Sequence, residues 1–281
     1  MASSRRPVLL DAFDADRPVL GMIHLPALPG APASDGDRDA IRTRMLEDAH
    51  RLEDGGIDGL IVENFGDAPF YPETVPNHVV ADMTALATAL GNAVDVPVGV
   101  NVLRNDADAA LSIAAAAGAA FVRVNVHVGT AATDQGVLEG RAHETLRRRD
   151  RIDADVAILA DVHVKHATPV GDRDIERTAI ETVDRGKADG VVVSGAGTGV
   201  TTPLSNIERV ADALSGEYEH VPVFVGSGVT SDTVGDCLEA GADGVIVGTA
   251  LKEGGETTAP VSQDRVESIV AAARESRPNA E

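Results

Sequence analysis

The densest run of chemically capable side chains in this sequence is Asp161-Val162-His163-Val164-Lys165-His166. In an extended backbone side chains alternate between faces, so Asp161, His163 and Lys165 are expected together on one face. A carboxylate beside an ammonium and an imidazole can tune proton transfer near neutral pH, and a desolvated lysine can condense with a carbonyl. Lys165 stands out because Lys187 and Lys252 are its only companions among 24 basic residues. The plain alternative for such a charged segment is a structural ion pair. Glu63 offers a second carboxylate, as a general base or metal ligand on one reading and as half of a buried structural pair on the other.

Three glycine-rich stretches supply a different chemistry. They are Gly195-Ala196-Gly197-Thr198-Gly199, Gly226-Ser227-Gly228-Val229-Thr230 and Gly248-Thr249-Ala250-Leu251. Backbone amides in such turns can curl around an anion, so Gly226, Ser227, Gly228, Gly248 and Thr249 are candidates to hold phosphate, with Gly197 in support. His24, Asn64, Asn101, Arg123, Asn125 and Ser194 are polar residues at the ends of apolar runs and are expected to contact substrate. His24, His127, His163 and His166 with Asp161 and Glu63 leave a divalent metal undecided, since no two histidines share an element in the usual zinc arrangement. Nothing in the sequence requires a cofactor. The loop from Glu63 to Pro72 carries Phe65, Phe70 and Tyr71 and suits a lid, a rim plug or a contact between copies of the chain.

These residues need a scaffold that brings distant strand ends together. Short β-branched runs at 19–24, 59–63, 98–102, 121–126, 156–161, 190–194, 223–226 and 244–248 alternate with helical stretches. Those stretches lie at 38–54, 77–93, 107–117, 138–151, 174–187, 206–214, 231–240 and 263–274. The runs are nearly continuous in apolar residues, as in a parallel sheet covered on both faces. Several helical stretches end in glycine and lead at once into a strand, as in Gly241-Ala242-Asp243-Gly244. Eight such units without a dinucleotide-type glycine fingerprint predict a single (β/α)8 TIM barrel rather than an open doubly wound sheet. In that fold catalytic groups sit at the carboxyl ends of the strands. The expected domain spans 1–281, with 1–17 as an amino-terminal extension and 276–281 as a tail.

The formal charge is −21 in a 29.0 kDa chain, which argues against a nucleic-acid partner. An acidic surface that has largely discarded lysine also fits a high-salt cytoplasm, where dense carboxylates are screened. Cys237 is the only cysteine, so no intrachain disulfide forms and a reducing cytoplasm is the expected compartment. No apolar run is long enough for membrane insertion.

Over nearly its whole length the chain resembles the BtpA/SgcQ family. The resemblance is carried by the segment from Gly21 to Gly30, by Val62-Glu63-Asn64-Phe65-Gly66-Asp67-Ala68-Pro69-Phe70, by Arg123-Val124-Asn125-Val126, by 161–166 and by Val225-Gly226-Ser227-Gly228-Val229. It implies a phosphate-binding barrel, and the salt-adapted composition resembles that of a haloarchaeal member. Some family members take names from phosphoribosylanthranilate isomerase. That reading is the less attractive one here, because Cys237 lies on a helical stretch rather than on the first strand. The family name comes from a cyanobacterial member implicated in photosystem I biogenesis, and another branch sits among sugar-metabolism proteins.

The expected function is an enzyme of isomerase or lyase type acting on a small phosphorylated sugar or related metabolite. Lys165 would be the Schiff-base or electrophilic residue, and Asp161, His163 and Glu63 would serve as acid and base. A non-catalytic assembly or stability factor and a phospho-metabolite sensor are the alternatives, and a homo-oligomer stays open.

Overall fold

β-Branched segments too short and too apolar to stand in water form the eight strands of a closed parallel barrel. They are β1 (Val19–His24), β2 (Gly59–Glu63), β3 (Val98–Asn101), β4 (Phe121–Val124), β5 (Ala157–Val162), β6 (Gly190–Ser194), β7 (Val223–Gly226) and β8 (Gly244–Val247). Each strand pairs with its neighbour in sequence, and β8 returns to β1 through Val19↔Val245 to Gly21↔Val247. This is a computed structural model, and it describes residues 9–171, 173–195 and 197–276. Ala196 and the outermost parts of the expected extension and tail fall outside the described residues.

The helices are α1 (Arg38–Asp54), α2 (Asn77–Gly91), α3 (Ala107–Ala117), α4 (Ala142–Arg151), α5 (Ile175–Asp184), α6 (Leu204–Leu214), α7 (Val234–Glu239) and α8 (Gln263–Glu275). Aspartates start three of them: Asp37, Asp106 and Asp174 accept from the amides of Ala40, Ala109 and Arg177 at 2.8–2.9 Å. Gly118, at φ 72°, closes α3 in the left-handed conformation.

Apolar side chains between helices and strands form the main core, and a second cluster fills the barrel itself. In that inner cluster Leu9, Leu10 and Phe13 rise from below to meet Phe121 and Phe224, with Phe13 edge-on to both rings at 5.8 and 6.4 Å. Leu9, Leu10 and Phe13, from the expected amino-terminal extension, therefore plug the amino-terminal end of the barrel. With its lower interior filled, the barrel is open to a ligand from its carboxyl end.

One element differs in kind. The stretch read as the start of the fourth helix is a strand, Gly136–Glu139, antiparallel to Thr130–Thr133, which pairs in turn with Ala167–Pro169. Gly136 sits at φ 108° and turns the hairpin, so α4 begins only at Ala142. This small sheet packs Ala131 and Leu138 against Val126 and Val164 above the barrel rim. Other boundaries move by a few residues, as where β4 ends at Val124 and β5 runs to Val162.

Candidate active site

Parallel register lays a row of polar side chains across the mouth. His24 pairs with Glu63, Glu63 with Asn101 and Asn101 with Arg123, so four adjacent strands each present one polar residue at a common level. All four side chains are buried.

Arg123 and Asp161 form one unit. Arg123 Nη2 donates to Asp161 Oδ1 at 2.8 Å and Nε to Oδ2 at 3.2 Å, while Asn125 Nδ2 donates to Oδ2 at 2.8 Å. Asn101 Nδ2 extends the network to Asn125 Oδ1 at 3.1 Å. A carboxylate with three donors is a counter-ion, not a poised base, so Asp161 differs from the acid–base role expected of it. Asn125 acts through Asp161 and Asn101.

Glu63 is the opposite case. Both of its carboxylate oxygens are buried without a hydrogen-bond partner. Its neighbour His24 lies with Nε2 3.8 Å from Oε1, yet this is no ion pair. Burial, reinforced by Lys252 and Lys165, holds the His24 imidazole well below its ordinary pKa and keeps it neutral. Glu63 lines a cavity, and a buried carboxylate without a donor is suited to take a proton from a group brought against it.

Lys165 reaches the same space. Its ammonium makes no hydrogen bond or ion pair with a described residue, and burial lowers its pKa, opposed by the Glu63 charge and aided by Arg123. Two cavities meet there, since Lys165 and Thr198 line both. The smaller, about 240 Å³, lies among His24, Arg123, Ser227, Gly228, Thr249 and Arg265. The larger, about 550 Å³, is walled by Glu63, Phe65, Phe70, Arg104, Asp134 and His166.

The smaller cavity has the features of an anion site. Ser227 and Gly228 take φ of 70° and 67°, and the amides of Gly228, Val229, Thr249 and Ala250 have no acceptor among the described residues. A Cβ at Gly228 would overlap the Thr201 backbone, and one at Gly248 would stand 2.9 Å from His24 Cε1. Arg265, on the first turn of α8, adds a cation at the rim and donates from Nη1 to Ala250 O at 3.3 Å.

Several expected positions are corrected. The strand stops at Val162 and His163 turns to φ 54°, which sends its ring to Thr178 on α5, with Nε2 3.3 Å from Oγ1. Asp161, His163 and Lys165 therefore do not share a face. His166, at φ 56°, accepts the Thr198 N–H at 3.1 Å and anchors the loop after β6. Gly197 packs on His166, and Gly226 gives its carbonyl to Thr202 Oγ1 at 2.8 Å, so neither lines the anion cavity. Asn64 holds backbone, accepting the Leu103 N–H at 2.7 Å and donating to Asp67 Oδ2 at 3.0 Å. Ser194 Oγ is buried and unpartnered near Gly226. The aromatic loop is anchored rather than free: Phe65 lies 4.8 Å from the His24 ring and Asp67 accepts the Leu28 N–H at 2.8 Å. His127 bonds Gly186 O at 2.8 Å on the outside of the site. No cluster of three metal-ligating side chains occurs among the described residues. Burial pushes the Cys237 thiol up to about 11, leaving it a packing residue.

Arg104 and Arg265 were not expected. Arg104 follows a recognised strand and Arg265 opens a recognised helix, and a cation at such a place was the available signal.

Residues 15–275 match the family model described as BtpA family. The chain belongs to the BtpA family. The Photosystem I biogenesis protein BtpA of a Synechocystis strain is 45% identical over 267 residues, covering 95% of this chain and 91% of that protein. Among solved structures, tryptophan synthase from M. tuberculosis aligns with a TM-score of 0.61 at 19% identity, covering 96% of this chain and all of that one. Thiamine phosphate pyrophosphorylase from Pyrococcus furiosus aligns at 0.59 and 14%, over 94% and 98%. At such identities these two establish the barrel fold of this BtpA-family chain and nothing about its chemistry. Among its described residues no helix is long and apolar enough to cross a membrane.

Proposed function

We propose that this BtpA-family barrel is an enzyme that binds a small phosphorylated carbonyl compound and acts on it by proton transfer or carbon–carbon cleavage through Lys165. The observation that carries this reading is the unpaired, desolvated Lys165 amine at the junction of an amide-lined cavity and a cavity holding the unpartnered Glu63. Phosphate lodges at Ser227, Gly228 and Thr249 with Arg265 at the rim. The neutral Lys165 amine adds to the carbonyl carbon, its proton passes to the oxygen, and protonation expels that oxygen as water to leave an iminium ion. Glu63 then takes a proton from the adjacent carbon in an isomerisation, or from the hydroxyl at the scissile bond in a cleavage. The released electron pair flows to the iminium nitrogen to give an enamine. Glu63 returns its proton to an enamine carbon, which restores an iminium ion, and water then adds to that ion and releases the product carbonyl and the Lys165 amine.

Phosphorus NMR of the protein with a panel of phosphorylated aldehydes and ketones tests this directly. Conversion of at least one is expected. Binding with no conversion of any would make the protein a sensor.

Gly228→Ala gives a second expectation. An alanine at φ 67° against the Thr201 backbone is strained by roughly 1–3 kcal/mol, so inorganic phosphate affinity is expected to fall about tenfold or more by calorimetry. An unchanged affinity would move the anion site elsewhere.

The name of the Synechocystis relative favours a second reading, a factor in assembly of a membrane complex. It predicts that Lys165→Met leaves the cellular phenotype intact while changes in the 65–72 loop abolish it.

A further inference from the structure

Besides the partly buried Lys165, three cations are fully buried among the described residues: Arg104, Arg123 and Lys252. Two of them face a carboxylate, Arg123 against Asp161 at 2.8 Å and Lys252 against Asp48 at 3.4 Å. Arg104 has none within ion-pair distance among the described residues, and the one side-chain hydrogen bond it makes to them runs from Nη2 to the Lys165 carbonyl at 2.6 Å. A guanidinium carries five donors, so most of the fork is uncommitted. None of its nitrogens is sealed off as an unsatisfied buried atom, and the residue lines the 550 Å³ cavity beside Glu63 and Lys165. Burying an unpaired charge is costly, and none of the described carboxylates lies within ion-pair distance of this one, Asp161, Glu63 and Asp134 acting on it only from farther off.

The position is also built. Asn64 clamps Leu103 from both sides, accepting its N–H at 2.7 Å and donating to its carbonyl at 3.4 Å, and the Arg104 N–H donates to Tyr71 O at 3.0 Å. Through its bond to the Lys165 carbonyl, Arg104 shares a fixed frame with the reactive amine.

The geometry points to a second anion-binding group for the substrate: Arg104 receives a carboxylate, so the ligand class is a phosphorylated oxo acid with phosphate at Ser227 and Gly228, carbonyl at Lys165 and carboxylate at Arg104. This rests on the reading of the site given above. A carboxylate suits the position better than a second phosphate. Its two oxygens match a single guanidinium fork, and Glu63 and Asp134 on the same wall oppose a dianion.

The pair 3-phosphoglycerate and glycerol 3-phosphate isolates the contribution, because they share a carbon skeleton and a phosphate and neither has a carbonyl to react. Calorimetry with the wild-type protein is expected to show 3-phosphoglycerate binding about tenfold tighter or more, as a charge-assisted hydrogen-bond pair would give. In Arg104→Met the preference is expected to shrink to within about twofold while glycerol 3-phosphate affinity stays level, and Arg104→Lys should restore part of it. Equal wild-type affinities overturn the carboxylate site and leave the phosphate corner standing. Tighter binding of 1,3-propanediol bisphosphate than of 3-phosphoglycerate shows a second phosphate and overturns it as well. Failure of both phosphate compounds to bind removes the anion corner and this inference together. The wild-type comparison decides the matter even if a variant does not fold.

Discussion

Lys165→Met is expected to lower turnover of any converted phosphorylated carbonyl compound at least about a thousandfold, because no other described group at the junction of the two cavities offers a free amine. Lys165→Arg should be equally inactive, since a guanidinium keeps the charge but forms no imine. Both variants should keep the wild-type Tm closely, as the Lys165 ammonium holds no hydrogen-bond or ion-pair partner among the described residues. The wild-type rate should rise with pH. Condensation needs the neutral amine, and burial sets the Lys165 pKa below that of a solvated lysine. The rising limb should therefore lie below the range of an exposed lysine. Steady-state kinetics across pH with the consumed substrate checks both points. A Lys165→Met protein within tenfold of wild type would mean that the amine is not the reacting group.

Asp161→Ala is expected to act on the fold first. Its removal strands Arg123, buried at 3% exposure, without a counter-ion, and deprives Asn125 of its acceptor. Breaking one side of a buried pair costs roughly 3–5 kcal/mol. For a chain of this size that corresponds to a fall in Tm of roughly 10 °C, readable by calorimetric or circular-dichroism melting. Asp161→Asn keeps the shape and one acceptor oxygen and should lose less. If Asp161 were instead the general base, Asp161→Asn would abolish turnover at an unchanged Tm.

The barrel was legible because each strand repeats one short pattern and each must be apolar on both faces. Leu60, Val100 and Val192 need no tertiary information to be read as strand residues. The extra sheet escaped notice because Thr130–Thr133 and Gly136–Glu139 lie outside that rhythm, and Leu138 fits a helical stripe as well as a hairpin. Its third strand arrives from Ala167–Pro169, a pairing no local pattern announces.

The site was legible by position and less so by role. Strand ends located Glu63, Lys165, Ser227 and Thr249 at the mouth. What spacing could not supply was the partner of each charge. Asp161 and Glu63 look alike in sequence, yet one is enclosed by three donors and the other by none. His163 was misplaced because a single residue at φ 54° ends the alternation that would have kept it beside Lys165. Arg104 lies past the end of β3, in a loop whose course depends on Asn64 at the end of the neighbouring strand β2.

Borohydride reduction in the presence of phosphorylated aldehydes, ketones and oxo acids, followed by intact-mass and peptide mass spectrometry, bears most directly on the whole proposal. One equivalent of reduced adduct is predicted, located on Lys165 and suppressed by excess inorganic phosphate. An adduct confined to Lys187, or a compound that is turned over while Lys165 keeps its native mass under borohydride, would contradict it.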